Sequence, residues 1–179
     1  MIRPSNFILL LLFCIICLSS CEDNLQECYE VVDIRVNNTF SQRITIDSTF
    51  TLPDSSRIDS TIISYRDTLL PSPRIMTLDE ETPFIFYTGN PNRISVPLNP
   101  AKESMRYQLQ FDSTVAAYDT LTFFYRPVLH FVSNACGYTY YYTVDSVHFT
   151  TNGLDSVVYE QRSITNEAGK SNIRFYFFP

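Results

Sequence analysis

Three features of the sequence predict an all-β fold, an antiparallel β-sandwich. Apolar residues recur at every second position in several separate stretches, the period of a half-buried strand. No stretch sustains an apolar period of 3.6 residues, which leaves room for at most one short helix. The strand-like stretches are short and are punctuated by Pro, Asn and Gly at turn-like places, as in sandwiches and barrels. Composition agrees. Tyr and Phe make up the 15% of aromatic residues, Trp is absent and Gly numbers only 4, which suits strands better than a Gly-rich tail.

Taken in order, residues 22–29 read as a tether. Val32, Ile34 and Val36 then alternate with Asp33 and Arg35, and Asn37-Asn38 suits a turn. Ile44, Ile46, Phe50 and Leu52 alternate with Thr45, Asp47, Thr49 and Thr51, a clear strand. Pro53 to Arg57 is a loop, and Ile58 to Tyr65 a strand whose buried side the pattern does not fix. Arg66 to Arg74, with Pro71 and Pro73, is a loop. Ile75 to Leu78 pairs weakly, Thr82 to Thr88 is a short apolar strand, and Gly89-Asn90-Pro91-Asn92 is a turn. Ile94 to Leu98 is an edge strand because Pro97 has no N–H to donate, and Asn99 to Ser104 is a loop.

The best strand signal is Met105, Tyr107, Leu109 and Phe111 against Arg106, Gln108, Gln110 and Asp112. The densest aromatic and β-branched run, Leu121 to Val147, reads as two core strands meeting at a corner, Ala135-Cys136-Gly137. Pro127 implies a bend or bulge in the first of them. In the second, Tyr138, Tyr140, Tyr142 and Val144 share a face, opposite Thr139, Thr143 and Asp145. A shift of the apolar set to Val147 and Phe149 implies a bulge at Asp145-Ser146. Asn152-Gly153 signals a hairpin leading to Val157–Gln161. Asn166 to Lys170 is a turn, and Ile173, Phe175 and Phe177 form a closing strand. Pro71, Pro73, Pro91, Pro97 and Pro100 fall in separate breaks, which favours a sandwich (Ig-like or related) with edges; a lipocalin-like barrel is the alternative.

The chain opens with Arg3 and an uninterrupted apolar run, Phe7 to Leu18. The run is too short to span a bilayer, which takes about 20 residues, and fits a signal peptide. Leu18-Ser19-Ser20-Cys21 follows and resembles a bacterial lipobox, with Cys21 as the acylated first residue of the mature chain; the alternative is an ordinary secretory signal or a membrane helix. Each buried lipid methylene contributes about 0.8 kcal/mol, so two or three acyl chains give a lasting anchor. Residues 1–20 are thus read as signal peptide, 21–29 as tether and 30–179 as a single β domain.

Glu22-Asp23-Asn24, just after Cys21, is similar to the surface-export signal of Bacteroidota lipoproteins, or else is a solvated acidic tether. The formal charge of −6 becomes −7 once Arg3, the one charge of the first twenty residues, is removed. An acidic chain with no run of Lys or Arg lacks the basic face that nucleic acid or an anionic membrane surface requires.

Cys14 and Cys17 leave with the signal peptide and Cys21 carries lipid, so Cys28 and Cys136 remain. In an oxidising compartment an even remainder reads as one disulfide, the alternative being two separately buried thiols. The bridge would close a loop of about a hundred residues and contribute up to about 4.7 kcal/mol before strain.

The lipobox, a cysteine soon after it, Arg-Ile-Ser-Val-Pro-Leu-Asn at 93–99, Leu-Thr-Phe-Phe-Tyr at 121–125, Val-Ser-Asn-Ala-Cys-Gly at 132–137 and Asn-Ile-Arg-Phe-Tyr-Phe at 172–177 occur in this order. Together they resemble an uncharacterised family of small Bacteroidota lipoproteins, one classed as a domain of unknown function. The resemblance covers most of the mature chain. It implies an envelope protein anchored at the outer membrane, facing the periplasm or the cell surface, and brings no catalytic residues. A further pattern, Asp followed by Ser or Thr and then an aliphatic residue or Thr, is similar to the O-glycosylation signal of exported Bacteroidota proteins. It makes Ser48, Ser60, Thr68, Ser113, Ser146 and Ser156 candidate acceptors; Thr120, inside a strand, is the weakest match.

His130 and His148 lie within apolar strands and read as hydrogen-bonded structural histidines rather than bases. The two remaining cysteines and two distant histidines lack metal-ligand spacing. There is no Gly-rich phosphate loop, no Gly-x-Ser-x-Gly elbow and no calcium loop. Asp79-Glu80-Glu81 reads as a solvated acidic loop rather than a glycosidase pair. Tyr141 points away from its tyrosine neighbours and is a candidate recognition residue, since tyrosine faces stack on sugars and peptides; the alternative is an ordinary cross-strand partner. The reading that results is a lipid-anchored, cofactor-free envelope protein with a non-catalytic binding or structural role. Its partner would be another envelope protein or a glycan. A glycan or peptide hydrolase and a carrier of a small apolar ligand are the alternatives.

Overall fold

The computed structural model describes residues 27–30, 33–80, 85–87, 91–167 and 169–178, and among these every regular element is a strand. Strand β1 (Arg35–Thr51) is the longest and is shared among three partners. Its first residues pair antiparallel with β5 (Arg93–Pro97), its middle pairs parallel with β11 (Ile173–Phe177), and its second half pairs antiparallel with β2 (Arg57–Asp67). Strand β9 (Leu154–Tyr159) lies antiparallel on the far side of β11. These five strands form one sheet. The other runs β10-β8-β7-β6-β3-β4, antiparallel throughout, from β3 (Arg74–Thr77), β4 (Ile85–Tyr87), β6 (Ser104–Gln110), β7 (Asp119–Ser133), β8 (Gly137–Phe149) and β10 (Ser163–Ile164). Two sheets facing each other across a common core are the predicted sandwich. The departure from an all-antiparallel arrangement is the β1–β11 pair.

The core is built from the inward-facing parity of each strand. Val36, Phe40, Ile94, Val96, Ile173 and Phe175 line the first sheet, and Ile75, Tyr107, Leu109, Leu121, Phe123, Tyr125, Tyr142 and Val144 the second; all are buried. Phe40 stacks on Phe175 with ring centroids 5.9 Å apart and meets Phe111 edge-on at 6.1 Å. Burying an aromatic or branched side chain of this size contributes about 2 kcal/mol.

Several sequence expectations hold in detail. Met105, Tyr107 and Leu109 face inward as the alternation requires. The register of β7 against β8 shifts between Phe124 and Tyr125, leaving Asp145 unmatched, which is the bulge expected at Asp145-Ser146. Pro127, by contrast, stays within β7 in unbroken register opposite Tyr142, so no bulge forms at the proline itself and the shift falls two residues earlier. Val32, part of the Thr82–Thr88 strand and the Gly89-Asn90 half of its turn lie outside the described residues.

Three expectations do not hold. Asn37-Asn38 is not a turn, because β1 runs straight through it. Asn172 is the reason. Its Oδ1 accepts from Asn37 N–H at 2.9 Å and its own N–H donates to Asn37 O at 2.8 Å, extending the β1–β11 ladder, while buried Asn38 donates its side-chain amide to Ile94 O at 3.2 Å. Asn152-Gly153 is not a hairpin turn between paired strands, since β8 and β9 belong to different sheets. Here the chain crosses the sandwich over the buried Asp119 carboxylate. Thr150 Oγ1 and Asn152 N–H donate to its Oδ1 at 2.8 and 2.7 Å, and Gly153 and Leu154 N–H donate to its Oδ2 at 2.8 and 3.0 Å. A Cβ on Gly153 would sit 3.0 Å from the Phe111 ring, which would have to shift by a few tenths of an ångström to admit it. Finally, Tyr138 and Tyr140 are exposed rather than core, for they lie beyond the end of the facing sheet.

The opposite end is closed by tyrosines. Tyr107, Tyr125 and Tyr142, on three adjacent strands, donate their hydroxyls to the consecutive carbonyls of Pro97, Asn99 and Leu98 respectively; the Tyr125 and Tyr142 bonds are 2.8 and 3.0 Å. The Tyr125 hydroxyl also accepts from Asn99 N–H at 3.1 Å. Burial pushes the Tyr125 phenol up to about 12 and raises Tyr107 and Tyr142 as well.

Replacing Tyr125 by Phe keeps the ring and removes both bonds to Asn99, and should cost about 2 kcal/mol in chemical denaturation. Because the folded state holds these phenols protonated, their contribution is intact below the ordinary tyrosine pKa of 10.0 and is lost as pH climbs from there towards 12. Denaturation midpoints should therefore fall across that window, and less steeply in Tyr125→Phe. Asp119→Ala leaves four donors at the crossing without their acceptor and should destabilise the chain by about 3 kcal/mol, read as a lowered thermal midpoint.

Candidate functional site

Two arms project from the sandwich. The first is the outer part of the β1–β2 hairpin, paired in unbroken register from Ser41↔Asp67 to Thr51↔Arg57. The β1–β11 pairing ends at Gln42↔Phe177 and the β1–β5 pairing at Thr39↔Arg93, so from Arg43 onward the ribbon has two strands only. Ile46, Phe50, Ile58, Ile62, Ile63 and Tyr65 are all exposed along it, Phe50 at 55%. The strand alternation is as the sequence reads, but there is no second layer for its apolar side to face. An ion pair pins the base: Arg174 Nη1 meets Asp67, Arg174 Nε meets Glu160 at 2.6 Å, and Ser41 Oγ donates to Asp67 at 2.8 Å. These contacts, the Ser41 hydrogen bond foremost, hold Asp67 below its ordinary pKa.

The second arm is the outer part of the β7–β8 hairpin. Arg126 and Asp145, 2.9 Å apart, close its base. Beyond them Val128, Leu129, Phe131, Tyr138 and Tyr140 are exposed, Tyr138 most fully at 65%. The Leu121–Val147 run is therefore core only in its inner parts. At the tip, Cys136 precedes Gly137, whose φ of 69° favours glycine. Cys136 is disulfide-bonded to Cys28, with Cα atoms 4.8 Å apart, as the cysteine arithmetic implies. Tyr141 does lie opposite in parity to Tyr142, but it is half-buried against the core and stacks on exposed His130 with centroids 4.1 Å apart. His148, also exposed, meets Phe124 at 5.0 Å. Both histidines are thus ring partners on the surface.

A cleft of about 910 Å³ lies beside the tyrosine-capped segment, between Asp79-Glu80 on one wall and Pro97 to Lys102 on the other. Asp79 accepts from Arg106 N–H at 2.5 Å and from its guanidinium at 2.7 and 2.9 Å. Glu80 Oε1 accepts from Asn99 Nδ2 at 3.0 Å and faces Lys102 Nζ at 3.4 Å. Bonding to Arg106 holds Asp79, and bonding to Asn99 holds Glu80, below the usual carboxylate range. Both stay ionised at neutral pH, Asp79 with both oxygens engaged by Arg106 and Glu80 with Oε1 engaged by Asn99 and Lys102. Among the described residues no three His, Cys, Asp or Glu side chains converge as metal ligands.

Of the candidate acceptors, Ser113 is exposed in the loop between β6 and β7 and its hydroxyl lies 3.0 Å from that of Ser72. Ser48 and Ser60 face each other in β1 and β2, Ser146 sits at the β8 bulge, Ser156 lies in β9 and Thr68 just follows β2; all five are half-buried. Thr120, in β7, is half-buried too. Cys21, the signal peptide and Glu22-Asp23-Asn24 lie outside the described residues. The sequence reading missed the arms. The signal was available in Ile62-Ile63 and Tyr65, apolar residues of both parities in a strand flanked by charge.

No curated protein and no solved structure matches the chain. A family model does match it over residues 72–177, more than half its length, including the second sheet, the cleft and the β7–β8 arm but not β1, β2 or Cys28. By that match the chain belongs to a family of unknown function, DUF6452.

Proposed function

We propose that this is a lipoprotein of a Bacteroidota cell envelope, acylated on Cys21 and held at the outer membrane, with a non-catalytic binding or scaffolding role. The order of Arg3, the apolar run and Leu18-Ser19-Ser20-Cys21 supports the anchor. The Cys28–Cys136 bridge supports an oxidising compartment.

The observation that carries the binding role is the β1–β2 arm. A two-stranded ribbon alone in water is marginally stable, and open strand edges with apolar faces invite pairing. Another envelope protein that adds a strand to an arm edge, or lays an apolar face on it, would relieve both problems. The cleft speaks against a hydrolase. A glycosidase acid needs a raised pKa, whereas Asp79 and Glu80 are both lowered and engaged with Arg106, Asn99 and Lys102. Its charged wall also suits an apolar ligand poorly.

A palmitate analogue fed to cells should label the wild type and not Cys21→Ser. Photo-crosslinkers at Ile46 and Ile62 should capture one identified envelope protein, while a crosslinker at Thr122, inside the second sheet, should not. Replacing residues 43–65 by a two-residue Asn-Gly turn joins the register partners Gln42 and Arg66. That variant should keep its β circular-dichroism signal and lose the partner. Retained binding by the shortened chain would remove the arm from the account.

A further inference from the structure

The β7–β8 arm differs from the first in its charge, and the difference bears on what covers it. Residues 127–144 contain no Asp, Glu, Lys or Arg, in a chain whose charged residues are 18% of the total. The last charges before this stretch, Arg126 and Asp145, neutralise each other at its base. The exposed apolar side chains beyond them are aliphatic and aromatic together: Leu129 pairs with Tyr140 and Phe131 with Tyr138 on one face, and Val128 lies on the other. A bilayer interface favours tyrosine at headgroup level with aliphatic side chains below it, and it disfavours formal charge, which this tip lacks.

The disulfide decides between a bilayer and a protein partner. It ties Cys28 to Cys136, the residue at the arm's tip. Cys21 precedes Cys28 by seven residues, which at full extension span at most about 25 Å. A lipid on Cys21 therefore holds the tip within a short leash of the membrane. The tether itself carries Glu22, Asp23, Glu27 and Glu30, which fits a bilayer of zwitterionic headgroups and not an anionic one.

We infer that the β7–β8 arm is a membrane-insertion tip: Val128, Leu129, Phe131, Tyr138 and Tyr140 dip into the interface of the bilayer that holds the Cys21 lipid. The inference rests on the lipid anchor proposed above. The tip would fix the sandwich upright on its anchor and point the β1–β2 arm, which leaves from the other end of β1, away from the lipid.

The absence of Trp from the chain makes the test direct. Leu129→Trp, Tyr138→Trp and, as the control, Phe50→Trp each place one fluorophore on the full, cell-processed protein. Each is reconstituted into phosphatidylcholine vesicles with or without bromine on the acyl chains. Mass spectrometry of the N-terminal peptide reads the lipid on Cys21 separately, and thermal unfolding confirms that each variant is folded. Both tip probes should shift to shorter wavelength in vesicles and lose emission to the brominated chains, while Phe50→Trp does neither. Acylated protein whose tip probes are unquenched overturns the inference and leaves the anchor standing. A blue shift without bromine quenching identifies a protein surface, a second copy included, as the occupant and also overturns it. A chain without acyl groups on Cys21 overturns both.

Discussion

Wherever this chain leaves a sheet, its backbone polar groups must find partners without water, and that constraint organises the fold. An unpaired buried amide costs more than any single contact returns. At one end the demand falls on carbonyls, and the hydroxyls of Tyr107, Tyr125 and Tyr142 answer three in a row. At the other it falls on N–H groups, and one carboxylate, Asp119, takes four donors as the chain crosses between sheets. Asn172 does the same in the middle by imitating a strand residue beside Asn37. Each is a side chain standing in for a ladder that cannot continue, and each is buried, so the sandwich closes around them.

What the sandwich closes around also sets where it stops. The core is filled largely by short strand segments, such as the five residues of β5 and β11 and the seven of β6, ordinary lengths for a strand in a small domain. Strands β1, β2, β7 and β8 are longer, and the excess becomes the two arms. An ion pair lies near each point of departure, Arg174–Asp67 on one sheet and Arg126–Asp145 on the other. Farther out along each arm apolar side chains lose their opposite layer. The arms differ in sequence character: the first carries Asp47, Asp59, Arg57 and Arg66 among its apolar residues, and the second is free of formal charge.

Most of the elements were legible in the sequence because strand parity is a local property. Met105-Tyr107-Leu109, the Asp145 bulge and the Cys28–Cys136 bridge follow from spacing, hydropathy and arithmetic. Burial was less legible, because it depends on what lies opposite. Tyr138, Tyr140, Tyr142 and Val144 share one parity, yet the first two are exposed and the last two buried, and nothing within the strand says where the facing sheet ends. Turn propensity misled in a similar way at Asn37-Asn38 and Asn152-Gly153. Asn and Gly mark places where the backbone needs help, and that help came from distant residues, Asn172 and Asp119. The cleft was legible only as an acidic run. That its carboxylates are neutralised depends on Arg106 and Asn99, brought close by the sheet and not by the sequence.

The parallel pairing of β1 with β11 has a kinetic meaning. Thr39 lies opposite Arg174, so the centre of the first sheet joins the earliest strand of the described chain to the latest. A polypeptide threaded N-terminus first through a membrane pore would present β1 to the far side long before Ile173–Phe177 arrived to cover it. During that interval β1 has β2 and then β5 beside it and an open edge on the other flank. Such long-range closure is slow and exposes unpaired strand to its surroundings. On such a passage Ile173–Phe177 would be the residues that lock the sheet, and a chain lacking them would leave a sticky edge along its longest strand.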